Sequence, residues 1–305
     1  MLAWAVVLGV KFFAPSVFSA PAVAAWSTVF AAICVQSAPY LVLGVAVSTI
    51  IAVAVPTRVF QQVLPRRAAL AVPVTGLAGA LLPGCECGSV PVAASLMDRG
   101  VAAGPAVTFL LSAPAINPVV LVATSVAFPG HPRVVAARAI ASLLTALLVG
   151  WLWQRVGRDL PVPRRRAHWR GDSRWERARG VAFYDLGSAL GLLTVGAAAA
   201  ATLNVAVPRS VLGFVAGHEL VAVPALALLA VVLAVCSEAD AFVAASLTQF
   251  SLTARLVFMV VGPAVDLKLI AMQLGTFGRR FTMRLAPLAL LSATLVATIV
   301  GQWLL

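Results

Sequence analysis

Charged residues are scarce in this chain of 305 residues. Asp, Glu, Lys and Arg make up 10% of it, hydrophobic residues make up 62%, and the mean hydropathy is +1.02. Because a soluble domain carries about 25% charged residues, this composition excludes an ordinary soluble globular protein. The chain also contains no H-E-x-x-H, P-loop or G-x-S-x-G pattern, so nothing supports a zinc protease, an ATPase or a serine hydrolase. We therefore expect a protein that is not an enzyme and uses no cofactor.

Long apolar runs fill most of the chain. Each can supply the roughly 20 apolar residues that span a bilayer as a helix. Gly and Pro lie inside the runs, as is ordinary for membrane helices, and the pattern argues against the alternating strands of a β-barrel. We predict an all-α polytopic membrane protein with about 8–10 membrane segments, some of them broken or re-entrant. The clearest runs are residues 22–55, 134–153, 181–207 and 285–305.

Positive charge is concentrated in one loop. The net charge is +12, and nine of the 22 Lys and Arg residues lie between Arg155 and Arg179. The stretch carries no nucleic-acid module, so we expect no binding to nucleic acid. By the positive-inside rule, the basic loop at 154–180 is predicted to be cytoplasmic. Residues 1–21 are predicted to form an N-terminal membrane helix, and a cleaved signal peptide is the alternative.

The sequence repeats itself with an offset of about 150 residues. Collinear matches that include Cys, Pro and Asn/Asp predict two membrane repeats, 22–153 and 181–305, joined by the basic loop. Lys and Arg near corresponding helices favour an inverted arrangement over a parallel one, and inverted repeats are common in transporters. The matching pairs are 53–56 with 205–208, Cys85 with Cys236, 92–96 with 243–247, and 114–117 with 263–266.

Four polar motifs lie where helices are expected to break, at residues 83–88, 112–118, 236–240 and 262–268. Breaks release backbone groups that protein, water or ligand must satisfy in the membrane. Matched breaks in two halves predict a binding site near the middle of the membrane. The candidate substrate-binding residues are Cys85, Glu86, Cys87, Ser112, Asn117, Cys236, Glu238, Asp240, Asp266 and Lys268.

Three cysteines in these motifs have two interpretations. Cys85 and Cys87 form a C-x-C pair, which is not the C-x-x-C spacing of common redox and zinc sites. With Cys236 they would supply three sulfur ligands, a set that suits a thiophilic ion such as trivalent arsenic or Cu(I). Alternatively, all three are small packing residues, as we expect for Cys34. A disulfide between Cys85 and Cys87 would be strained and is not expected.

The intramembrane carboxylates also allow two interpretations. They either pair with nearby cations and hold half-helices together, or change protonation during transport. The carboxylates are Glu86, Glu238, Asp240 and Asp266, and the candidate cations are Arg99, Arg255 and Lys268. Asn117 and Asp266 each follow a Pro break, where the side chain is expected to cap the next helix. Lys268 is a candidate partner of Asp266 and a candidate contact for an anion.

At these motifs the sequence resembles a family of bacterial predicted permeases that includes the trivalent organoarsenical efflux permease. The matching stretches, 82–91, 109–118, 236–242 and 262–268, occur in the expected order over about residues 25–300. The resemblance implies a polytopic permease of the inner membrane, and we expect secondary transport, with export of a small solute. It does not fix the solute, and a trivalent metalloid bound by Cys85, Cys87 and Cys236 is a hypothesis.

Two other functions are open from the sequence. The first is a membrane protein that passes electrons through thiols, which the C-x-C spacing and the lone Cys236 of the second half disfavour. The second is an assembly subunit whose polar breaks only pack helices. The oligomeric state is not indicated by the sequence.

Overall fold

A computed structural model describes residues 21–54, 65, 67–82, 85–157, 173–206 and 219–305. These ranges contain twelve α-helices and no strand, which confirms the predicted all-α fold. Residues 1–20, most of the basic loop, Pro83, Gly84 and part of both Val-Ala-Val-Pro turns lie outside them. The helices are α1 (Pro21–Ala54), α2 (Ala68–Gly79), α3 (Glu86–Asp98), α4 (Ala103–Ile116), α5 (Pro118–Ala127), α6 (Pro132–Val156), α7 (Arg174–Ala206), α8 (Glu219–Leu233), α9 (Asp240–Ser246), α10 (Leu252–Ala264), α11 (Leu267–Phe277) and α12 (Arg279–Leu304).

Six helical stretches of the described residues are long and apolar enough to cross a membrane, which makes this a multi-pass membrane protein. Two shorter apolar helices, Ala69–Gly79 and Val221–Leu233, accompany them. Of these six stretches, those of α4–α5 and α10–α11 are the most buried, so the broken helices lie near the centre of the described part of the protein. The six stretches are Pro21–Ala54, Ala103–Ala127, Pro132–Val156, Ala178–Thr202, Leu252–Phe277 and Arg279–Leu304.

Helices of similar length follow one another in the same order in the two halves. Within the described residues the lengths are 34, 12, 13, 14, 10 and 25 residues for α1–α6, and 33, 15, 7, 13, 11 and 26 for α7–α12. Three helices of the first half pack against the helix that holds the same position in the second half: α1 against α7, α4 against α10, and α6 against α12.

The helix breaks occur slightly later than the Pro-Ala motifs predict. Helix α4 continues through Pro114 to Ile116, and α10 continues through Pro263 to Ala264. The chain leaves the helix at Asn117, which is extended with φ −69° and ψ 156°. Pro118 follows, and the residue before a proline disfavours the helical region. In each half, therefore, the last residue before the next helix is polar: Asn117 before α5 and Asp266 before α11.

Helix α7 begins inside the stretch that the sequence assigns to the basic loop. Ser173 and Glu176 form a capping box: the Glu176 N–H donates to Ser173 Oγ (3.0 Å), and the Ser173 N–H donates to Glu176 Oε2 (3.4 Å). This Ser-x-x-Glu pattern stabilises the first turn at Arg174, so the helix starts seven residues before the predicted 181. At the other end of the loop, α6 extends to Val156.

Two glycines at an offset of 152 residues each let two helices of the same half approach closely. A Cβ atom on Gly44 of α1 would lie 2.5 Å from the carbonyl oxygen of Gly88 on α3. A Cβ atom on Gly196 of α7 would lie 2.6 Å from Cα of Lys268 on α11. Small residues permit such backbone contact between membrane helices. The contacts fix the start of α3 against α1 and the start of α11 against α7.

Candidate functional site

Lys268 lies at the centre of a buried polar cluster between the halves. Its side chain is fully buried, and its ammonium group forms an ion pair with Glu86 at the start of α3. The same nitrogen lies 3.6 Å from Asp266 Oδ2 and 3.4 Å from Cys236 Sγ. The predicted Asp266–Lys268 pair is therefore present, and the stronger contact to Glu86 joins the second half to the first. A charge buried to this extent is tolerated only with such partners.

Two of the thiols face each other beside Lys268. Cys85 is the residue before α3, is fully buried, and lies close to the thiols of Cys87 and Cys236. Cys236 lies in the segment between α8 and α9, and its sulfur is also 3.6 Å from Ser37 Oγ on α1. The break motifs of the two halves thus meet at their cysteines. All four cysteines, including Cys34, are free thiols.

A second buried ion pair also joins the halves, but here the first half supplies the cation and the second half the carboxylate. Arg138 of α6 is fully buried and donates to Asp240 Oδ2 (2.8 Å) at the first residue of α9. The guanidinium also donates to the Ser237 carbonyl (3.0 Å) and to Thr124 Oγ1 (2.8 Å). Arg138 therefore fixes the turn that carries Cys236 and Glu238. We call Glu86, Arg138, Glu238, Asp240, Asp266 and Lys268, with Cys85 and Cys236, the break cluster.

Several buried oxygens of the break cluster have no hydrogen-bond partner. They include Oε2 of Glu86, Oδ1 of Asp240 and both carboxylate oxygens of Glu238, which has no partner in another residue. Within the described ranges no group of three or more His, Cys, Asp or Glu side chains has the arrangement of a metal site.

Asn117 and Asp266 cap helices, as predicted. Asn117 Oδ1 accepts from the Val120 N–H (3.0 Å), and Asp266 Oδ1 accepts from the Leu269 N–H (2.5 Å). The Asn117 amide also donates to the Ala113 carbonyl (2.9 Å), so it bridges the break between α4 and α5. Ser112 lies elsewhere: its hydroxyl bonds the Phe109 carbonyl (3.4 Å), and it packs against Gly79 of α2. Ser112 thus packs between α4 and α2, and the hydrogen bonds of Asn117 given above join α4 to α5.

Three buried polar residues, Ser37, Arg138 and Asp185, lie outside the four motifs of the sequence. For Arg138 the sequence does hold a signal, because an Arg at the seventh position of a membrane helix is rare and usually functional. Asp185 is a buried carboxylate of α7 that accepts from Ser48 Oγ (2.8 Å), and Ser48 Oγ also contacts Ser95 Oγ (2.8 Å). This network ties α1, α3 and α7 together beside the Gly44 contact.

The chain is similar to known proteins over most of its length. A family described as predicted permease, ArsP_1, matches residues 22–302. The UPF0718 protein YcgR of Bacillus subtilis is 32% identical over 273 residues, covering 85% of this chain and 91% of the relative. A putative two-component membrane permease complex subunit of Streptococcus mutans is 29% identical over 286 residues, covering 90% and 94%. No solved structure matches the chain. The protein thus belongs to the ArsP_1 family of predicted permeases, which the sequence motifs had indicated.

Proposed function

We propose that this protein is a secondary permease that exports a small solute through the break cluster. The observation that carries the proposal is the buried Lys268–Glu86 ion pair, which joins a helix start of one half to a helix start of the other beside Cys236. Broken helices whose ends meet near the centre are the usual construction of transporter binding sites. Ionisable residues buried within a membrane protein in this way usually have a function.

The arrangement of the halves supports an alternating-access mechanism. We propose that 22–153 and 181–305 are inverted repeats. Six helices of similar length follow one another in the same order in both, and three pairs of corresponding helices pack against each other. We also propose that the protein resides in the inner membrane with the basic loop 154–180 in the cytoplasm, following the positive-inside rule. Reporter fusions at both ends of the loop test the orientation, and a periplasmic signal there would contradict it.

The transport proposal is tested with everted membrane vesicles. Vesicles from cells that express the protein and from cells with the disrupted gene are incubated with a cell extract, and accumulated solutes are compared by mass spectrometry. We expect at least one small solute to accumulate only when the protein is present. Identical solute profiles would contradict export.

The metalloid version is a separate arm of the same assay. Arsenite, methylarsenite and other soft ions are offered to the vesicles, together with Cys85→Ser, Cys87→Ser and Cys236→Ser variants. Cys34→Ser is the matched control, because Cys34 is buried in a separate hydrophobic cluster with Phe30 and Ile33. Unchanged uptake of every soft ion would remove the metalloid hypothesis, and normal transport by the three variants would remove the thiolate ligands. The permease proposal survives both results.

The name of the Streptococcus mutans relative favours a second component. A putative two-component permease complex subunit implies a partner protein for that relative, and we propose that this chain also acts with one. Purification of the tagged protein in mild detergent tests this, and a pure, transport-active single chain would contradict it. The family favours neither the thiol-redox alternative nor an enzyme, since its description is that of a permease.

A further inference from the structure

A groove lies between α1 and α2 in the first half. Within the described residues these two helices make no extensive contact with each other, although α1 packs against α3 and α2 packs against α4. The gap leaves a cavity of about 310 Å³ whose walls come from all four helices. In the second half the corresponding helices α7 and α8 do pack against each other, so the duplication alone does not produce the gap. We call this cavity the α1–α2 groove, and its lining includes Ile51, Val74, Ala78, Leu81, Leu96 and Phe109.

The described lining of the groove is almost entirely apolar. Its one polar residue is Thr75, whose hydroxyl already bonds its own helix at the carbonyls of Ala71 (3.1 Å) and Val72 (3.1 Å). A pocket for a polar solute places a few polar groups among its apolar walls to fix the orientation of the ligand. Because the α1–α2 groove does not have such groups in its described lining, the ligand that fits it is a hydrocarbon chain.

The groove is open on the side that faces the bilayer. Leu81 lines it with 84% of its surface exposed, and Leu77 of α2 and Ile50 of α1, next to its walls, are also largely exposed. Exposed side chains of this kind on membrane helices contact lipid tails, which are as apolar as leucine. A bilayer chain can therefore enter the groove sideways without crossing water. An empty groove would instead forfeit the dispersion contacts of its walls.

One end of the groove lies on the side of the basic loop. Trp151, near the end of α6, donates from Nε1 to the Ala69 carbonyl (2.9 Å) at the start of α2. Trp is enriched where a membrane meets water. The contact therefore marks the membrane surface at the level where α2 begins and α6 enters the basic loop.

Two exposed arginines lie at this surface. Arg67 directly precedes α2, and Arg155 lies one turn beyond Trp151 on α6. Asp98 and Arg99, where α3 ends, cancel in formal charge. The net positive charge at this end of the groove therefore comes from Arg67 and Arg155. Basic residues at a membrane surface attract anionic lipid headgroups.

The distance along α2 matches the length of a phospholipid. At a rise of 1.5 Å per residue, Arg67 lies about 10 Å from Val74, where the described lining of the groove begins on α2. The headgroup layer is roughly 5–7 Å thick on each side of a bilayer. A phosphate bound at Arg67 therefore places its acyl chain at the depth of the groove.

We propose that the α1–α2 groove binds one acyl chain of an anionic phospholipid whose headgroup contacts Arg67 and Arg155. The inference requires only that the protein lies in a membrane, and it holds whether or not the break cluster transports a solute. In the orientation proposed above, the lipid comes from the cytoplasmic leaflet, where anionic lipids give the surface its negative potential. The bound chain completes the packing of the first half, since α1 and α2 each contact the chain in place of one another.

Native mass spectrometry counts the bound lipid. The protein is reconstituted in nanodiscs of equal parts phosphatidylglycerol and phosphatidylcholine, transferred to mild detergent and washed. We expect one phosphatidylglycerol to remain on each wild-type chain. Ala78→Phe fills the groove and should abolish this adduct. Ala199→Phe is the matched control, since Ala199 is exposed on α7, and it should keep the lipid.

The headgroup contact is tested separately. The double variant Arg67→Gln, Arg155→Gln should retain the two lipids equally, because the groove still accepts a chain but no charge selects the headgroup. Arg133→Gln is the matched control, since Arg133 is exposed at the opposite end of α6, and it should keep the preference for phosphatidylglycerol.

Folding of the groove variant is checked by its melting temperature. Because the Phe ring fills a cavity, we expect Ala78→Phe to melt at or above the temperature of the wild type. If it melts lower than Ala199→Phe, the arginine variants alone decide. A wild type that retains no phospholipid would overturn the inference, whether the groove is empty or is covered by the chain's own residues or by a second copy. Retention of the adduct in a folded Ala78→Phe would place the lipid elsewhere and overturn it too. So would equal retention of the two lipids by the wild type, since the arginines would then select no headgroup.

Discussion

Gly196 should tolerate substitution by alanine less well than other glycines on the same helix. In Gly196→Ala the new Cβ would lie 2.6 Å from Cα of Lys268, about 0.8 Å closer than the 3.4 Å at which ordinary contact begins. The obstacle is the backbone of α11, which cannot rotate away as a flexible side chain can. Helix α11 must therefore move from α7, and Lys268 moves with it. Overpacking of this kind costs about 1–3 kcal/mol.

Gly187 and Gly191 of α7 provide matched controls. Nothing lies within 4 Å of a Cβ built on either residue, and both are exposed. Replacing an unconstrained helix glycine by alanine stabilises the helix by up to about 1 kcal/mol. The same gain in helix propensity applies to Gly196→Ala, so its free energy of unfolding should lie below that of Gly187→Ala by the overpacking cost, about 1–3 kcal/mol.

Denaturant unfolding of the purified proteins in lipid nanodiscs, followed by tryptophan fluorescence and circular dichroism, measures this difference. The comparison between variants of one helix cancels most effects of the membrane environment. If Gly196→Ala were as stable as Gly187→Ala, the backbone contact between α7 and α11 would not exist in the folded protein. Lys268 would then not be held in place by that contact either.

Three further changes test the contacts of the cluster in the same unfolding assay. Lys268→Met should cost about 3–5 kcal/mol, because it leaves Glu86 buried without its cation, and Glu86→Gln in the same chain should recover most of the loss. Arg138→Met should cost a similar amount and be rescued by Asp240→Asn; the absence of rescue in either pair would show that packing, not charge, causes the loss. Asn117→Ala should cost about 1 kcal/mol through the lost helix cap, and unchanged stability would contradict the capping role.

The helices and their break points could be predicted from the sequence because their signals are local. Apolar length alone indicates a spanning helix, and Asn117 and Asp266 follow prolines at positions where a polar cap satisfies the freed N–H groups. Even the early start of α7 has a local signal, the Ser173–Glu176 capping box.

The partners within the site could not be predicted, because they depend on which helices cross. The sequence placed Lys268 two residues from Asp266, but its pairing with Glu86, far away in the chain, is set by the packing of α11 against α3. Arg138 is likewise paired with Asp240 across the halves. Arg255, a candidate cation in the sequence, instead donates to the Phe250 carbonyl (3.0 Å).

The two crossed ion pairs restrict how the halves can move during transport. Lys268–Glu86 and Arg138–Asp240 each join one half to the other, so a rigid separation of the halves would break both. Breaking one buried pair costs about 3–5 kcal/mol, whereas the conformations of a protein that alternates differ by only a few kcal/mol. Either the paired helices α3 with α11 and α6 with α9 move together, or an incoming charge replaces a partner as it leaves.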